Sequence, residues 1–456
     1  MSFAGSYTPS LFEDETKDAM SPSPTRASLV TFQDSLRAPV HRWFTYPAGF
    51  SFKAVEEAFR LHNVSAGMTV YDPFAGTGTT NIAAKQNGIN SFGVEAHPFV
   101  QFVARTKLHW EFDLSELMRD IDELIDKMRR EFDTADGSAI PVESIFPELV
   151  CKCYSREKLA RLYLCREAIA SLHKSPFRDF AKLALTNLLR AAADVATGWP
   201  YVAPQKPKTG ARANSNANIP GLLRDLLYRM HGDIEEVRRA SLPGGRATLI
   251  AGDSRKQQDI IEPESIDLAF TSPPYLNNYD YADRTRLETY FWDEARTWGD
   301  ITEKVRRRLI MSATTQINRS DYDESSLLSE DLREAAPQVA RELEEKVNEL
   351  SKRRLTKGGK KSYDIMVAGY FNDMQLVIEE TFRVLKPGSA FMLILGDFAP
   401  YGVYMPTDVY LGKIGKAAGF ARYEIEELRA RGGKWKNNPQ RHDETLKECI
   451  LTLYKN

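Results

Sequence analysis

The run Met68-Thr69-Val70-Tyr71-Asp72 is β-rich and passes without a break into Pro73-Phe74-Ala75-Gly76-Thr77-Gly78-Thr79. Helix-forming sequence then continues to Asn87-Gly88, and a second β-rich run covers 91–95. Strand, glycine turn, helix and strand make a βαβ unit. Its crossover joins parallel strands, which commits the chain to a sheet with helices on its faces. Strand character returns at 246–253, 265–275, 389–397 and 447–455, and helices are expected at 372–385 and 407–420. Ser51 caps a further helix over FKAVEEAFRLHN, with Phe52, Val55, Phe59 and Leu61 near one side. The fold class is therefore α/β.

Two stretches interrupt this pattern. Between 105 and 245 the sequence is mostly helical, with apolar residues at three- and four-residue intervals in 114–132, 180–196 and 220–239 and a polar loop at 205–218. Between 295 and 361 it is helical and heavily charged. The expected organisation is a leader (1–38), a first half of the core (39–104), a helical insertion (105–245), a second half (246–294 and 362–456) and a charged insertion (295–361). The leader is rich in Ser, Thr, Pro and Asp and reads as mobile.

Composition narrows the class. Lys plus Arg minus Asp plus Glu is 61 − 63 = −2, so contact with nucleic acid has to come from local basic patches. No run approaches the ~18 apolar residues of a membrane span, and the acidic start lacks a signal pattern. Four cysteines in 456 residues are too few for a disulfide scaffold. A cytoplasmic globular protein is expected.

The turn after Asp72 is the first site candidate. Gly76 and Gly78 let the backbone turn tightly and approach a ligand, and the following helix points free N–H groups there. A lone G-x-G by itself reads as a tight turn. Here it follows a strand directly, and Glu95 ends the next strand, where a carboxylate can accept both hydroxyls of a ribose. Position 81 is Asn where a dinucleotide fingerprint needs its third Gly, which argues for an adenosine-containing ligand other than NAD. The second candidate is Ser272-Pro273-Pro274-Tyr275, after IDLAFT. Two prolines must lie beyond the strand's end, on the sheet edge that carries the glycine turn. Alone, this tetrapeptide also reads as a proline turn with an aromatic plug.

Asp-Pro-Phe-x-Gly-x-Gly-Thr followed downstream by Ser-Pro-Pro-Tyr resembles the S-adenosylmethionine-dependent DNA amino-methyltransferases, which methylate N4 of cytosine or N6 of adenine in double-stranded DNA. The resemblance covers roughly 41–100, 246–290 and 365–456, and implies a Rossmann-like methyltransferase sheet carrying the two insertions. It implies that Asp72, Phe74, Gly76, Gly78 and Thr79 form the cofactor loop, that Glu95 holds the ribose, and that Asp253 with Ser254 lies at the adenine. Ser272, Pro273, Pro274 and Tyr275 match the catalytic tetrapeptide. The Ser form is commoner among cytosine-N4 enzymes, so the resemblance implies N4 of cytosine, with N6 of adenine as the alternative. A cognate restriction endonuclease or defence-system subunit is a candidate partner.

The residue types suit that chemistry. An exocyclic amine is a poor nucleophile because its lone pair is delocalised into the ring. Acceptors at Ser272 Oγ and the Pro273 carbonyl favour a more sp³-like nitrogen, and positioning supplies much of the rate. The base has to leave the duplex, and Tyr275 would stack on it. No cysteine nucleophile is needed, and none of the four lies in these motifs. The sequence departs from many cytosine-N4 enzymes in placing the cofactor motif first, and its insertion after Glu95 leaves the target-recognition region open.

Two basic segments suit phosphate contact: 351–361, with Lys352, Arg353 and Arg354, read as a Gly-containing loop, and 429–442, with Lys434, Trp435 and Lys436. A third, weaker one is 205–212. The competing reading of each is a solvated charged surface. The charged insertion is the candidate for target recognition. Cys151, Cys153 and Cys165 with His173 lack the spacing of a zinc site and read as buried thiols, so no metal is expected. The aromatics at 41–50 read mainly as core, but their position just before the cofactor half also makes them candidates to wall the methionine end of the pocket, with Phe50 and Ser51 named there. An RNA base methyltransferase would commonly carry an appended RNA-binding domain, and none is recognisable. The intact motifs argue against a degenerate binding subunit.

Overall fold

The computed structural model describes residues 33–46, 49–134, 137–173, 175–197, 201–207, 218–356, 358, 361–431 and 445–456. Most of the leader, 208–212 of the third basic segment, and Lys434, Trp435 and Lys436 lie outside the described residues.

Seven strands form one sheet: β1 (Thr69–Asp72), β2 (Asn90–Glu95), β3 (Ala247–Ala251), β4 (Ile266–Thr271), β5 (Leu385–Gly396), β6 (Arg422–Arg431) and β7 (Leu446–Tyr454). Their order is β3-β2-β1-β4-β5-β7-β6. All neighbours are parallel except β7, which runs antiparallel between β5 and β6. β4 shows why the centre is parallel: Ile266, Leu268, Ala269 and Phe270 are all buried, so both faces need helices over them. The α/β expectation and its Rossmann-like sheet hold.

The helices that place the site are α1 (Phe52–Leu61), α2 (Thr79–Gln86), α3 (Pro98–Leu108), α4 (Leu114–Thr134), α5 (Arg156–Ala170), α6 (Ser175–Ala192), α7 (Ile219–Ala240), α8 (Pro337–Thr356), α9 (Tyr363–Val384) and α10 (Thr407–Ala417). Ser51 caps α1, accepting from the Lys53 amide at 3.2 Å. Val55 and Phe59 are buried, but Leu61 is 52% exposed. Two residues past Phe59 is about 200° around a helix, so Leu61 belongs to the opposite face, contrary to expectation.

Helices α4 to α7 share one apolar core with Val40, Trp43 and Phe44 before the cofactor turn, and with Leu287 and Phe291 after the tetrapeptide. Asp233 of α7, itself buried, fastens this assembly. It accepts from the Val40 amide (3.1 Å), Arg42 Nε (3.0 Å) and Trp43 Nε1 (2.9 Å). Cys153 and Cys165 are buried in the same core.

Several expectations need correction. Residues 351–356 form the last turns of α8, not a loop, because the Leu343, Val347 and Leu350 stripe keeps the helix packed on α9. Arg353 pairs there with Glu349 (2.6 Å) and donates to the Tyr401 carbonyl (2.8 Å). Residues 203–207, part of them read as loop, pair antiparallel with Val195–Ala196. Helix α9 begins nine residues earlier than the pattern suggested, at Tyr363. β5 takes in Lys386-Pro387-Gly388 through a register shift against β4. β6 was not anticipated: its alternating charges look like surface, and they suit an edge strand. No described helix is long and apolar enough to cross a membrane.

Candidate active site

β1 and β4 are neighbours whose following helices cover opposite sides of the sheet, and a cleft opens over their carboxyl ends. Phe74, Ala75, Gly76, Thr77 and Thr79 line its floor, with Glu95 and His97 from the end of β2, Asp253 and Ser254 beyond β3, and Ser272 and Pro274 beyond β4. Two separated sequence motifs thus meet in one cavity.

The floor is tightly specified. Gly76 and Gly78 have φ of +53° and +86°, in the left-handed region. A Cβ on Gly78 would lie 3.4 Å from that of Ala104 on α3. Asn81, in place of a third glycine, is fully buried and donates to Ser91 Oγ at 3.1 Å. Close helix–sheet approach is kept by Gly93 instead, whose hydrogen points at Asn81 and Ala75.

Asp72 is buried beneath the turn. Its Oδ1 accepts from the Phe74 amide (3.0 Å) and Thr271 Oγ1 (2.6 Å), tying the ends of β1 and β4 together. Burial pushes its carboxyl up to about 6, and Oδ2 has no partner. Glu95 is half-buried at the bottom of the cleft. Oε2 accepts from the Gly76 amide (2.9 Å) and Oε1 from the His97 amide (2.7 Å), while burial drives its carboxyl up to about 7. Each oxygen keeps a second lone pair for a ligand hydroxyl.

Beyond β3, Asp253 is gripped by Arg255 through Nε–Oδ1 (2.9 Å) and Nη2–Oδ2 (2.8 Å). The arginine charge holds that carboxyl below its usual range against the effect of burial. Ser254 is spent structurally: its hydroxyl donates to the Pro73 carbonyl, clamping the β3 loop onto the cofactor turn.

At the tetrapeptide, Ser272 Oγ donates to the Ile394 carbonyl of β5 at 3.3 Å. The same hydroxyl lies within hydrogen-bond reach of the Tyr275 hydroxyl, and Ser272 lines the cleft. Among the described residues no hydrogen bond uses the Pro273 carbonyl. The Tyr275 amide donates to Tyr281 Oη at 3.3 Å, and Tyr281 lines the cleft. Gly396 abuts the Tyr275 ring, and the Arg431 guanidinium carbon lies 5.6 Å from the ring centroid.

Phe50 lines the cleft as anticipated, packing on Phe270, but Ser51 only caps α1. Lys352, Arg353 and Arg354 are not among the cleft residues. Sequence reasoning missed others. Arg308, Leu309 and Ile310 reach the cleft from the charged insertion. They are anchored by the buried Arg306–Asp280 pair (2.8 Å), and Asp280 follows the tetrapeptide closely enough to have been suspected. His97 is buried, bonds Thr285 Oγ1 at 2.7 Å, and burial lowers its imidazole to about 4. Tyr281 was likewise missed; it forms part of the wall with Tyr46, one of the 41–50 aromatics offered for that place, their ring centroids 6.5 Å apart.

The cleft fits S-adenosylmethionine. Glu95 retains acceptors for a ribose, Asp253 adds a second carboxylate to the lining, and Phe74 and Ile310 offer apolar surface for adenine.

A DNA methylase family profile covering the N6 and N4 enzymes matches residues 19–104. The chain is also 26% identical to the type II methyltransferase M.BsoBI of Geobacillus stearothermophilus, over 94% of this chain and 87% of that protein. It is 24% identical to M.AvaI of Anabaena variabilis (94% and 89%) and 21% identical to M.MvaI of Kocuria varians (91% of each). The likeness runs through both insertions as well as the core. Both motifs converge on a cleft that fits S-adenosylmethionine, and the chain is similar to the N6/N4 DNA methylases through the family match and through these relatives over most of its length.

Proposed function

We propose that this chain is a type II modification enzyme that methylates N4 of cytosine at a short sequence in duplex DNA. The observation that carries the reading is Ser272. It occupies the first position of the tetrapeptide, donates a hydrogen bond to the Ile394 carbonyl and lines the cleft, where its oxygen can accept from a base amine. Bound S-adenosylmethionine supplies an electrophilic methyl on sulfonium. The chain's own part is to bind and to orient.

In this reading the target cytosine leaves the helix and stacks on Tyr275. Ser272 Oγ and the Pro273 carbonyl accept from its amine, hold the N–H bonds out of the ring plane and aim the nitrogen lone pair at the methyl. Glu95 fixes the ribose, and Asp253, steadied by Arg255, accepts from the adenine amine. Such positioning is the main source of rate for this kind of transfer. Lys352, Arg353, Arg354, Lys434 and Lys436 hold the DNA backbone, and the charged insertion reads bases. A nuclease recognising the same sequence is the partner such an enzyme protects against.

Expression in a methylation-free bacterial host, followed by nucleoside mass spectrometry and long-read mapping of modified bases, tests the proposal. N4-methylcytosine at one recurrent sequence is expected. N6-methyladenine at such a sequence would overturn the choice of base, and unmodified DNA would overturn the activity.

A further inference from the structure

Arg306, Arg307 and Arg308 follow one another beside the cleft, and their side chains have different surroundings. Arg306 is buried, with Nε donating to Asp280 at 2.9 Å and its guanidinium carbon 3.8 Å from the Trp298 ring centroid. Arg307 is exposed and pairs with Glu303. Arg308 is exposed and lines the cleft, which places it at the mouth. Among the described residues its guanidinium has no hydrogen bond or ion pair. It is also the one lysine or arginine among the described residues that line the cleft.

Water satisfies an exposed guanidinium, so the placement of Arg308 carries the argument. Its backbone is fixed from both sides. The Arg308 amide donates to the Val305 carbonyl at 2.9 Å. The Arg306–Asp280 pair holds the segment next to Tyr281, whose hydroxyl receives the Tyr275 amide of the tetrapeptide. Three residues on, the Met311 amide donates to Asp373, which binds the Arg255 that grips Asp253. Neither carboxylate lining the cleft takes the charge, since Glu95 accepts from the Gly76 and His97 amides and Asp253 is held by Arg255. Arg308 is thus an anchored cation at the entrance, between the tetrapeptide and Asp253.

We propose that Arg308 receives a phosphate flanking the target nucleotide when its base enters the cleft. The inference rests on the reading above that a base of duplex DNA is methylated here, and it holds for cytosine or adenine alike. A base drawn toward Ser272 passes the entrance, while its sugar–phosphate backbone stays joined to the duplex and remains at the mouth. A guanidinium there matches phosphate oxygens with two parallel N–H groups. The other anion in the complex is the carboxylate of S-adenosylmethionine. It lies at the methionine end, away from adenine, whereas Arg308 belongs to the wall tied to Asp253 on the adenine side.

The test uses a duplex carrying the mapped site, and wild type is assayed on it first. If the DNA stays unmethylated, the proposed function fails before any variant is compared, and this inference with it. Methylphosphonate then replaces the phosphates flanking the target nucleotide one at a time, removing their charge. One neutral linkage should weaken duplex binding by wild type about tenfold, the loss of a charge-assisted hydrogen bond. Arg308→Gln should lose as much on the unmodified duplex and nothing further at that linkage, and its salt slope should fall by about 0.9. Arg308→Lys keeps a point charge and should recover part of the affinity. Melting temperature, and S-adenosylmethionine affinity measured without DNA, should be unchanged in both variants. Additive losses at every flanking linkage, or an unchanged salt slope, would overturn the proposal. Weaker cofactor binding by Arg308→Gln without DNA would overturn it as well, and would assign the arginine to the methionine carboxylate.

Discussion

Arg255 donates to Asp373 at 3.0 Å, and Asp373 in turn accepts from the Met311 amide at 2.8 Å. The same guanidinium grips Asp253, so an acid in the cofactor cleft is joined through two side chains to the stretch that brings Leu309 and Ile310 there. Asp373→Ala should unfix Asp253 and loosen that wall together. All three groups are partly exposed, so the stability loss should be about 1–2 kcal/mol, short of that for a fully buried pair. Chemical denaturation checks that, and calorimetry should show S-adenosylmethionine bound several-fold more weakly.

Gly78→Leu should abolish cofactor binding while the circular dichroism spectrum stays native. The residue sits at φ +86°, where a side chain is strained, and faces Ala104 at van der Waals distance. Calorimetric titration decides, and unchanged affinity would mean the turn is not the cofactor loop.

In the proposed reading the Tyr275 ring is the platform for the base, and its removal leaves the floor of the cofactor cleft untouched. A lost base-stacking contact is worth about 1–3 kcal/mol. Tyr275→Ala should therefore slow methyl transfer about tenfold or more at nearly unchanged cofactor affinity, read in single-turnover assays.

Glu95 gives the enzyme a pH dependence of definite sign. Burial raises its carboxyl from 4.5 to about 7, and the ionised form is the better acceptor for ribose hydroxyls. Cofactor affinity should fall as pH drops through about 7, with a proton released on binding below it, and Glu95→Gln should flatten the profile. In the free protein the shift acts oppositely. The native state holds this proton more tightly than the unfolded chain, so Glu95 costs stability as pH rises from 4.5 to about 7. Calorimetry in buffers of different ionisation enthalpy measures the proton count.

Replacing Lys352, Arg353 and Arg354 with Ala should weaken binding to all duplexes alike and flatten the salt dependence, whose slope is about −0.9 per phosphate contact. The choice of methylated sequence should be unaltered, since phosphate contacts position and base contacts specify. Because Arg353 also pairs with Glu349 within α8 and ties the helix to the Tyr401 carbonyl, Lys352→Ala alone separates DNA contact from helix anchoring. A retained salt slope in the triple variant would leave 352–354 a solvated helix end.

The core was legible because its determinants are local. Asp72, the two glycines and Glu95 lie within one βαβ unit, and the Ser272 tetrapeptide announces the end of β4 by its prolines. What escaped is set by tertiary pairing. Arg308 faces the cleft only because Arg306 is locked to Asp280, and periodicity carries no trace of that contact. β6 looks like charged surface because it is an edge strand, and its neighbour β7 supplies the apolar side. The end of α8 looks like a basic loop because glycine and lysine follow it, while the apolar stripe that extends the helix lies upstream.

The Asp233 clamp bears on how the chain comes together during synthesis. Its partners Val40, Arg42 and Trp43 leave the ribosome about 190 residues before it does. Closing a loop that long costs entropy before any contact repays it, so the native N-terminal region has to wait for α7. The early cofactor half emerges with Trp43, Phe44 and Phe99 still uncovered, a nascent surface that invites chaperones. A fragment ending near residue 104 would hold every cofactor-loop residue up to Glu95 and still lack the partner that seats Val40, Arg42 and Trp43.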